Sequence, residues 1–451
     1  MFDAQMPEVV AAQFLFWILL PVVLWAPPKW AVLAWLVMGN LDTTGAGQGS
    51  VATVGWINAV KGILLPLYLW WRMRGAPSEI SRTPPVRLWL ALMAYAAIAG
   101  LWAPFPIAAA KLVGNMLGIL LTVIVVEKTA RNGLLSTGSL VILVVSSLGL
   151  AIVQTYYYGG TSYGFDGVGQ PSRFSSFIAA QQYAAFLVAF LAVVLWQREL
   201  RFHVRFGLSL ALCLALLLNG SRTWFLGAGL VSVVYLCLSF RRVVVPVAFG
   251  LATVALLILL ALNLQPRNTS VLDDSASRIA ATFSALVGGN ETARNIGMAN
   301  MSFRLSVYEG VLAELRAATP RELFLGHGTS SGGAVVMRVF PHSYHEDSLD
   351  PNRAIHDEWL RALYEWGIVG LLVMVGMFAT LVAGVIARYR DPATRRGAIA
   401  VFSFLPAFLL AFSTENVLAG AGNAMTMSIA VVIGMLWING SRVATRYYAH
   451  A

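Results

Sequence analysis

The chain alternates between long apolar stretches and short polar connections. Windows of about 18–22 residues that are almost free of charged side chains recur along it, and such windows are typical of membrane-spanning helices. The pattern predicts an all-α integral membrane protein with about 12–13 transmembrane helices, the lower count applying if the short second stretch, after Pro27-Pro28, is a half-helix. The apolar stretches cover 8–26, 29–40, 51–71, 86–103, 105–126, 134–156, 177–196, 206–220, 222–240, 243–263, 356–386, 398–417 and 423–440.

The polar connections fall into two sets that alternate along the chain. One set is rich in arginine and includes "WWRMRGAPSEISRTPPVR", "QRELRFHVR" and "ARYRDPATRRG". The other is nearly free of basic residues and includes "NLDTTGAGQGS", "APFP" and "STENVLAGAG". Because arginine and lysine concentrate in the cytoplasmic loops of membrane proteins, the first set is predicted to face the cytoplasm and the second the opposite side.

Composition and charge agree with a membrane protein. The 451 residues are 58% hydrophobic and 12% charged, whereas a soluble protein carries about 25% charged residues. The cytoplasmic arginine excess accounts for the formal net charge of +10, so no nucleic-acid partner is predicted. No basic region precedes the first apolar stretch, so we expect that helix to be retained rather than cleaved as a signal peptide.

One polar connection is too long to be a simple loop. Residues 264–355 follow a stretch that leaves the cytoplasm after Arg241-Arg242, which places them on the extracytoplasmic side. The sequence therefore predicts three parts: an N-terminal transmembrane bundle over 1–263, an extracytoplasmic loop subdomain over 264–355, and C-terminal transmembrane helices over 356–451.

The long connection contains one clear helical pattern. Phe303, Val307, Val311 and Leu315 recur every four residues, so the segment around them is predicted to form a helix with one apolar face. The "GHGTSSGGA" that follows is expected to be a flexible, glycine-rich turn.

Four basic side chains lie where the apolar pattern leaves little room for charge. Arg222, in "LLLNGSRTWFLGAGL", occupies a turn so tight that it must lie at membrane depth or just outside it, where an arginine needs a partner. An anionic ligand is a good candidate, because the guanidinium group binds phosphate oxygens bidentately. Arg173 is either a solvated turn residue or a second such contact, and Lys61 and Lys111 either line a polar cavity or extend to an interface.

Reactive and charged side chains gather at the start of "HDEWLRALYEWGIVGLLVMV". Histidine, with an ordinary pKa of about 6.5, suits a general base at neutral pH, which makes His356 a candidate catalytic residue. A histidine that only begins an interfacial helix is the alternative. Arg361 is spaced to pair with Asp357 or Glu358 and with Glu365 on a helix, which would anchor that helix at the interface.

A metal site is a weaker hypothesis. "HSYHED" offers His342, His345, Glu346 and Asp347, whose spacing allows two or three ligands, but the segment lacks a firm scaffold. A solvated polar loop is the favoured interpretation, and no metal is predicted. A serine nucleophile in "GTSSGG" is not favoured either, because no matching triad pattern accompanies it.

Four stretches, taken in order, resemble the bacterial O-antigen ligase and O-antigen polymerase superfamily. They are "RFSSFIAAQQYAAFLV", "NGSRTWFLGAGL", "SFRLSVYEGVLAELRAATPRELFLGHGTSSG" and "HDEWLRALYEWGIVGLLVMV", and the resemblance covers about residues 140–440. The chain departs from the family pattern at two positions. Gln182 stands where the family commonly has asparagine, and Asp357 replaces the usual asparagine after the histidine.

The resemblance implies a multi-pass glycosyltransferase of the bacterial inner membrane with its active site facing the periplasm. Such an enzyme transfers a glycan from an undecaprenyl-pyrophosphate carrier to an acceptor hydroxyl, with no metal and no other cofactor. The resemblance implies His356 as the catalytic residue and Arg222 and Arg304 as donor or pyrophosphate contacts, arginines serving in place of a divalent cation. Further candidates are Arg173 as a donor contact and Ser221, Asp357, Lys111 and Gln182 as accessory residues.

The acceptor remains open and decides between two functions. A second lipid-linked repeat unit would make the protein a polymerase of a surface polysaccharide or exopolysaccharide, and lipid A core would make it an O-antigen ligase of lipopolysaccharide synthesis. The polar extracytoplasmic loop, suited to holding a growing glycan, slightly favours the polymerase. Predicted partners are the lipid-linked donor, the acceptor, membrane lipid and other polysaccharide assembly proteins. A transporter or flippase is the more distant alternative, since the sequence shows no internal repeat.

Overall fold

The structure is a computed structural model whose described residues are almost entirely helical. It describes residues 7–41, 55–75, 78, 80–158, 174–178, 180–239, 291–340, 355–392, 394–415, 417–418 and 428–434. The helices are α1 Pro7–Trp25, α2 Pro28–Met38, α3 Gly55–Ala59, α4 Leu65–Arg72, α5 Pro84–Ala99, α6 Pro106–Arg131, α7 Thr137–Tyr158, α8 Ala180–Trp196, α9 Phe202–Asn219, α10 Arg222–Ser239, α11 Glu291–Ala317, α12 Pro320–Leu325, α13 Gly332–Val339, α14 Glu358–Arg390 and α15 Arg395–Phe412. A π-helical turn, Val60–Leu64, joins α3 to α4.

The predicted all-α membrane fold is confirmed. Six helices are long and apolar enough to cross a membrane: Pro84–Trp102, Pro106–Arg131, Thr137–Tyr158, Phe202–Asn219, Glu358–Arg390 and Arg395–Phe412. Four shorter apolar helices accompany them within the described part of the chain. At 11 residues, α2 is about 16 Å long, roughly half the hydrocarbon thickness, as expected for a half-helix. The predicted span 243–263 lies outside the described residues.

Helix α8 forms the centre of the bundle. Every residue from 183 to 197 is buried, and α8 packs against α9, α10 and α15. Its sequence, "AQQYAAFLVAFLAVVLW", is apolar on all sides after the first turn. A helix with no polar face is expected where other helices surround it, so the sequence explains this position.

A smaller apolar core lies beside the main bundle. Val307, Val311 and Leu315 on α11 are buried, as the four-residue spacing predicts, whereas the side chain of Phe303 lies outside the description. They pack against Val335 and Val336 of α13, and Ile355 and Tyr364 complete this cluster. The predicted division at 264 and 355 remains a prediction, because residues 240–290 and 341–354 lie outside the described ones.

Helix α14 is broken near its start. Gly367 has φ 63° and ψ −167°, so the helix consists of two parts, 358–366 and 368–390. A Cβ at Gly367 would lie 2.3 Å from the carbonyl oxygen of Phe324, so the backbones of α12 and α14 touch there. The side chain of Trp366 occupies the space that a Cβ at Gly370 would need. The two glycines of "GIVG" therefore permit the break and its packing.

Candidate functional site

Several helix ends meet at one end of the bundle. The Thr329 hydroxyl, between α12 and α13, donates to the Ala96 carbonyl near the end of α5 at 2.5 Å. The Thr223 hydroxyl, in the first turn of α10, lies 3.4 Å from the carboxylate of Glu415, just after α15. These contacts bring together connections that the sequence assigns to the same, arginine-poor side of the membrane.

His356 lies at this end, immediately before α14. Asp357 caps the helix, and its Oδ1 accepts hydrogen bonds from the backbone N–H groups of Trp359 and Leu360, both at 2.9 Å. Asparagine caps helices equally well, so the exchange of the family's asparagine for Asp357 preserves this function. The Tyr308 hydroxyl of α11 donates to the His356 carbonyl at 3.1 Å, which fixes the backbone of the candidate catalytic residue.

The surroundings of His356 keep its imidazole neutral. Burial, with a smaller contribution from the positive charge of Arg304, lowers the pKa of His356 from its ordinary value to about 4. Burial raises the pKa of Tyr308 to about 12, with a smaller contribution from Asp357, so its hydroxyl remains a hydrogen-bond donor at neutral pH. A neutral imidazole is the form that accepts a proton, but the lowered pKa makes His356 a weaker base at neutral pH than an ordinary histidine.

Arg304 faces the same region from α11. Its guanidinium Nη2 lies 3.6 Å from Oε1 of Glu415, and its side chain is 30% exposed. Arg304 and Tyr308 stand four residues apart and so lie on one face of the helix. One helix therefore supplies both a cation and the hydroxyl that holds His356.

Of the other two predicted arginines, the structure describes the backbone of Arg222. Arg222 begins α10, next to Thr223 and thus next to the contact with Glu415, although its side chain lies outside the description. Ser221, directly before it, is buried. Arg173 lies outside the described residues.

The segment that follows Arg173 is anchored near the start of α10. The backbone N–H of Phe174 donates to the Leu218 carbonyl at 3.4 Å, and the Asn219 amide donates to the Phe174 carbonyl at 2.8 Å. This segment therefore lies against the last turn of α9, close to where Arg222 follows in the chain.

The remaining candidates lie on other elements of the structure. Lys61 is buried in the π-helical turn and donates to the Leu41 carbonyl, which assigns it a packing role. Lys111 is exposed on α6. It lies near the N-terminal end of that helix, next to "APFP", where it can extend to an interface. Gln182 is partly buried in the first turn of α8.

The predicted charge pairs at the start of α14 are confirmed, but in a different environment. Arg361 lies between Glu358, at 3.5 Å, and Glu365, at 3.1 Å. All three side chains are about 1% exposed, so they do not anchor the helix in an interface as expected but lie inside the protein.

The expectation of a flexible turn at "GHGTSSGGA" was wrong. Residues 326–331 form a fixed loop in which Thr329 and Ser331 are buried. Glu365 accepts hydrogen bonds from the backbone N–H groups of Ser330, at 2.7 Å, and Gly332, at 3.3 Å. Glycine allowed this loop to approach α14 closely rather than to remain mobile, and Gly332 begins a helix, α13.

Backbone strain also concentrates at this end. His356, with φ 59°, and Ser330, with φ 64°, are the two non-glycine residues with positive φ in the described part of the chain. The segments that carry them are in contact, since a Cβ at Gly332 would lie 2.9 Å from the Ile355 side chain. Such conformations cost about 1 kcal/mol or more and are common at functional sites, which supports the assignment of this region as the site.

Sequence reasoning missed two residues of the site. Tyr308 lies one helical turn after Arg304, and its position on the same face was a usable signal. Glu415 is the acidic residue of "STENVLAGAG", an acid in a connection without basic residues. The sequence did not indicate either residue as part of the site, because their partners lie far away in the chain.

The described residues contain no group of three or more histidine, cysteine, aspartate or glutamate side chains that could hold a metal ion. The "HSYHED" segment lies outside them, so the absence of a metal remains a prediction.

One comparison with known proteins finds a match. The O-antigen ligase family model matches residues 206–375, well under half of the chain. The matched region contains Arg222, Arg304 and His356, and it ends within the second part of α14. No curated protein matches the chain.

Proposed function

We propose that the protein is a membrane glycosyltransferase acting on a lipid-linked glycan, and the match of the O-antigen ligase family model to residues 206–375 supports this proposal. The donor is a glycan on undecaprenyl pyrophosphate, and the acceptor is a hydroxyl group. The observation that carries this proposal is the arrangement of α11, which presents Arg304 and holds the backbone of His356 through Tyr308.

In the proposed reaction His356 is the catalytic residue. Its neutral imidazole accepts the proton of the acceptor hydroxyl as that oxygen forms a bond to the anomeric carbon of the donor sugar. The bond from the anomeric carbon to the pyrophosphate oxygen breaks, and the electron pair leaves with the pyrophosphate. Arg304 and Arg222, with Arg173 as a third candidate, stabilise the growing negative charge. The leaving group needs no protonation, and the arginines take the place of a divalent cation.

The location follows from the arginine distribution. The segment after α15 that carries Glu415 belongs to the arginine-poor set of connections, which supports an orientation in which the site faces the periplasm and the protein spans the inner membrane. A lipid-held pyrophosphate would then lie at the level of the helix ends that meet there.

The acceptor is proposed to be a second lipid-linked repeat unit, which makes the protein a polymerase of O-antigen type. The extracytoplasmic loop predicted over 264–355 supports this choice, since its sequence is polar enough to hold a growing glycan. The description of the matching family favours the second candidate, a ligase that transfers the glycan to lipid A core.

The direct test is reconstitution of the purified protein with a lipid-pyrophosphate-linked repeat unit, without lipid A core and with EDTA present. We expect a ladder of products on a gel. Product only after lipid A core is added would identify the ligase. Activity that requires an added divalent cation would overturn the metal-independent mechanism. If neither acceptor gives product over a panel of repeat units, the transferase proposal is wrong and transport becomes the better hypothesis.

Donor binding tests the role of the arginines. Arg304→Lys keeps the charge but removes the planar fork that binds two phosphate oxygens, so we expect the KM for the donor to rise about tenfold. Inhibition by inorganic pyrophosphate should weaken by a similar factor. Arg222→Lys should act in the same direction.

Arg316→Lys is the matched control for Arg304→Lys. Arg316 lies on the same helix but is exposed in its last turn, so its replacement should leave the KM unchanged. Equal donor affinity in the Arg304→Lys protein and the wild type would rule out Arg304 as a pyrophosphate contact.

A further inference from the structure

Three buried charges connect the two loops that flank the candidate site. Arg361 Nη1 lies 3.5 Å from Oε2 of Glu358, and Arg361 Nε lies 3.1 Å from Oε1 of Glu365. Two carboxyl groups and one guanidinium group therefore lie together at a buried position. A buried charge of this kind is stable only if further hydrogen bonds satisfy it.

Backbone N–H groups of the two loops supply those hydrogen bonds. Glu365 accepts from Ser330 at 2.7 Å and from Gly332 at 3.3 Å, at the end of the 326–331 loop. Glu358 accepts from Leu418 at 2.6 Å, in the segment that follows α15. Glu358, Arg361 and Glu365, here called the charged triad, therefore connect one loop to the other through the first part of α14.

Each loop contacts a different part of the site. Gly332 lies against Ile355, the residue before His356, so the 326–331 loop borders the strained backbone of the candidate base. The segment that ends at Leu418 also carries Glu415, which pairs with Arg304 at 3.6 Å. Glu365 is thus connected to the backbone next to the candidate base, and Glu358 is connected to the segment whose Glu415 pairs with the candidate donor contact, Arg304.

Stability alone is a poor explanation for such a triad. Apolar residues of similar volume often replace buried ion pairs without loss of stability, whereas in some proteins a buried charged network fixes one geometry of the segments that it joins. A device that fixes geometry is useful where a base and a cation must be held relative to one another.

We propose that Glu365 and Glu358, joined by Arg361, are positioning residues of the transferase. Glu365 holds the 326–331 loop and with it the backbone at His356, and Glu358 holds the segment after α15 that orients Arg304 through Glu415. The kinetic part of this inference rests on the proposed function, whereas the linkage between the loops does not.

Isosteric substitutions test the linkage without an activity assay. In Glu365→Gln and Glu358→Gln the side-chain amide keeps the shape but offers one acceptor oxygen fewer to the backbone N–H groups. Hydrogen exchange read by mass spectrometry should increase in peptides over 327–334 for Glu365→Gln and over 413–418 for Glu358→Gln. Glu309→Gln, an exposed position on α11, is the matched control and should change neither.

In the kinetic test, the two variants should affect different parameters, one kcat and the other the donor KM. We expect Glu365→Gln to lower kcat about tenfold and to change the donor KM less than about twofold. Glu358→Gln should instead raise the donor KM about tenfold while kcat stays within about twofold. A residue that only stabilises the fold would lower the amount of active protein without such a split.

Three results would overturn the proposal: unchanged exchange in both loops, equal effects of the two variants on kcat and KM, or failure of both variants to fold. In the last case the triad is a stability element. If the local exchange changes appear but the wild-type protein transfers no glycan, the linkage is supported and the proposed function is wrong.

Discussion

Replacement of His356 should abolish transfer while donor binding is retained. A positioned general base contributes about 10²- to 10⁴-fold to a rate, so kcat of the His356→Ala protein should decrease by a factor in that range. His356 has a positive φ of 59°, which alanine adopts poorly, so backbone strain would confuse the interpretation of that variant alone. His356→Asn avoids this problem, because asparagine tolerates the left-handed conformation but cannot act as the base.

Both variants should therefore lose turnover to a similar extent, with a donor KM close to that of the wild type. His203→Asn is the control, since His203 is exposed in the first turn of α9, at the arginine-rich end of that helix. Transfer by the His356→Asn protein at more than about a tenth of the wild-type rate would show that another group removes the proton.

The pH dependence gives an independent test of the same residue. The base is active when it is deprotonated, and burial lowers the pKa of His356 to about 4 in the donor-free protein. The profile of kcat/KM, which reflects the free enzyme, should stay flat from about pH 8 to about pH 5 and decline only as the pH falls through 4. A midpoint near the ordinary histidine pKa of about 6.5 would contradict the buried environment.

Local rules predicted much of the fold from the sequence. The apolar stretch 177–196 indicated helix α8, and the spacing of Val307, Val311 and Leu315 indicated the buried face of α11. The spacing of Arg361 and Glu365 indicated their ion pair. Each of these features depends on residues within a few turns of one helix.

The features that sequence reasoning missed depend on distant partners. A glycine-rich stretch looks alike whether it is mobile or tightly held, and here Glu365, 35 residues after Ser330, decides the outcome. Glu415 lies in an ordinary polar connection, and only the fold brings it to Arg304. The environment of the α14 charges was misjudged for the same reason, since the loops that bury them come from elsewhere in the chain.

The break in α14 leads to the largest expected loss of stability. Gly367→Ala places a Cβ at φ 63° and ψ −167°, a conformation available almost only to glycine, and 2.3 Å from the Phe324 carbonyl oxygen. Strain and overlap together should destabilise the protein by about 3 kcal/mol or more, because two backbones would have to separate. Thermal unfolding of the detergent-solubilised protein, followed by size-exclusion chromatography after heating, would measure the loss.

Gly384→Ala is the matched control on the same helix. A Cβ at Gly384 meets nothing within 4 Å, and alanine favours a helix interior over glycine by about 1 kcal/mol, so this variant should be as stable as the wild type or slightly more stable. A melting temperature of the Gly367→Ala protein equal to that of Gly384→Ala would mean that α14 is continuous in the membrane. Its first part would then rotate away from the 326–331 loop, and the hydrogen bonds from Glu365 to that loop would be lost. The break at Gly367 is thus the condition under which one chain segment serves both as a membrane span and as the support of the site.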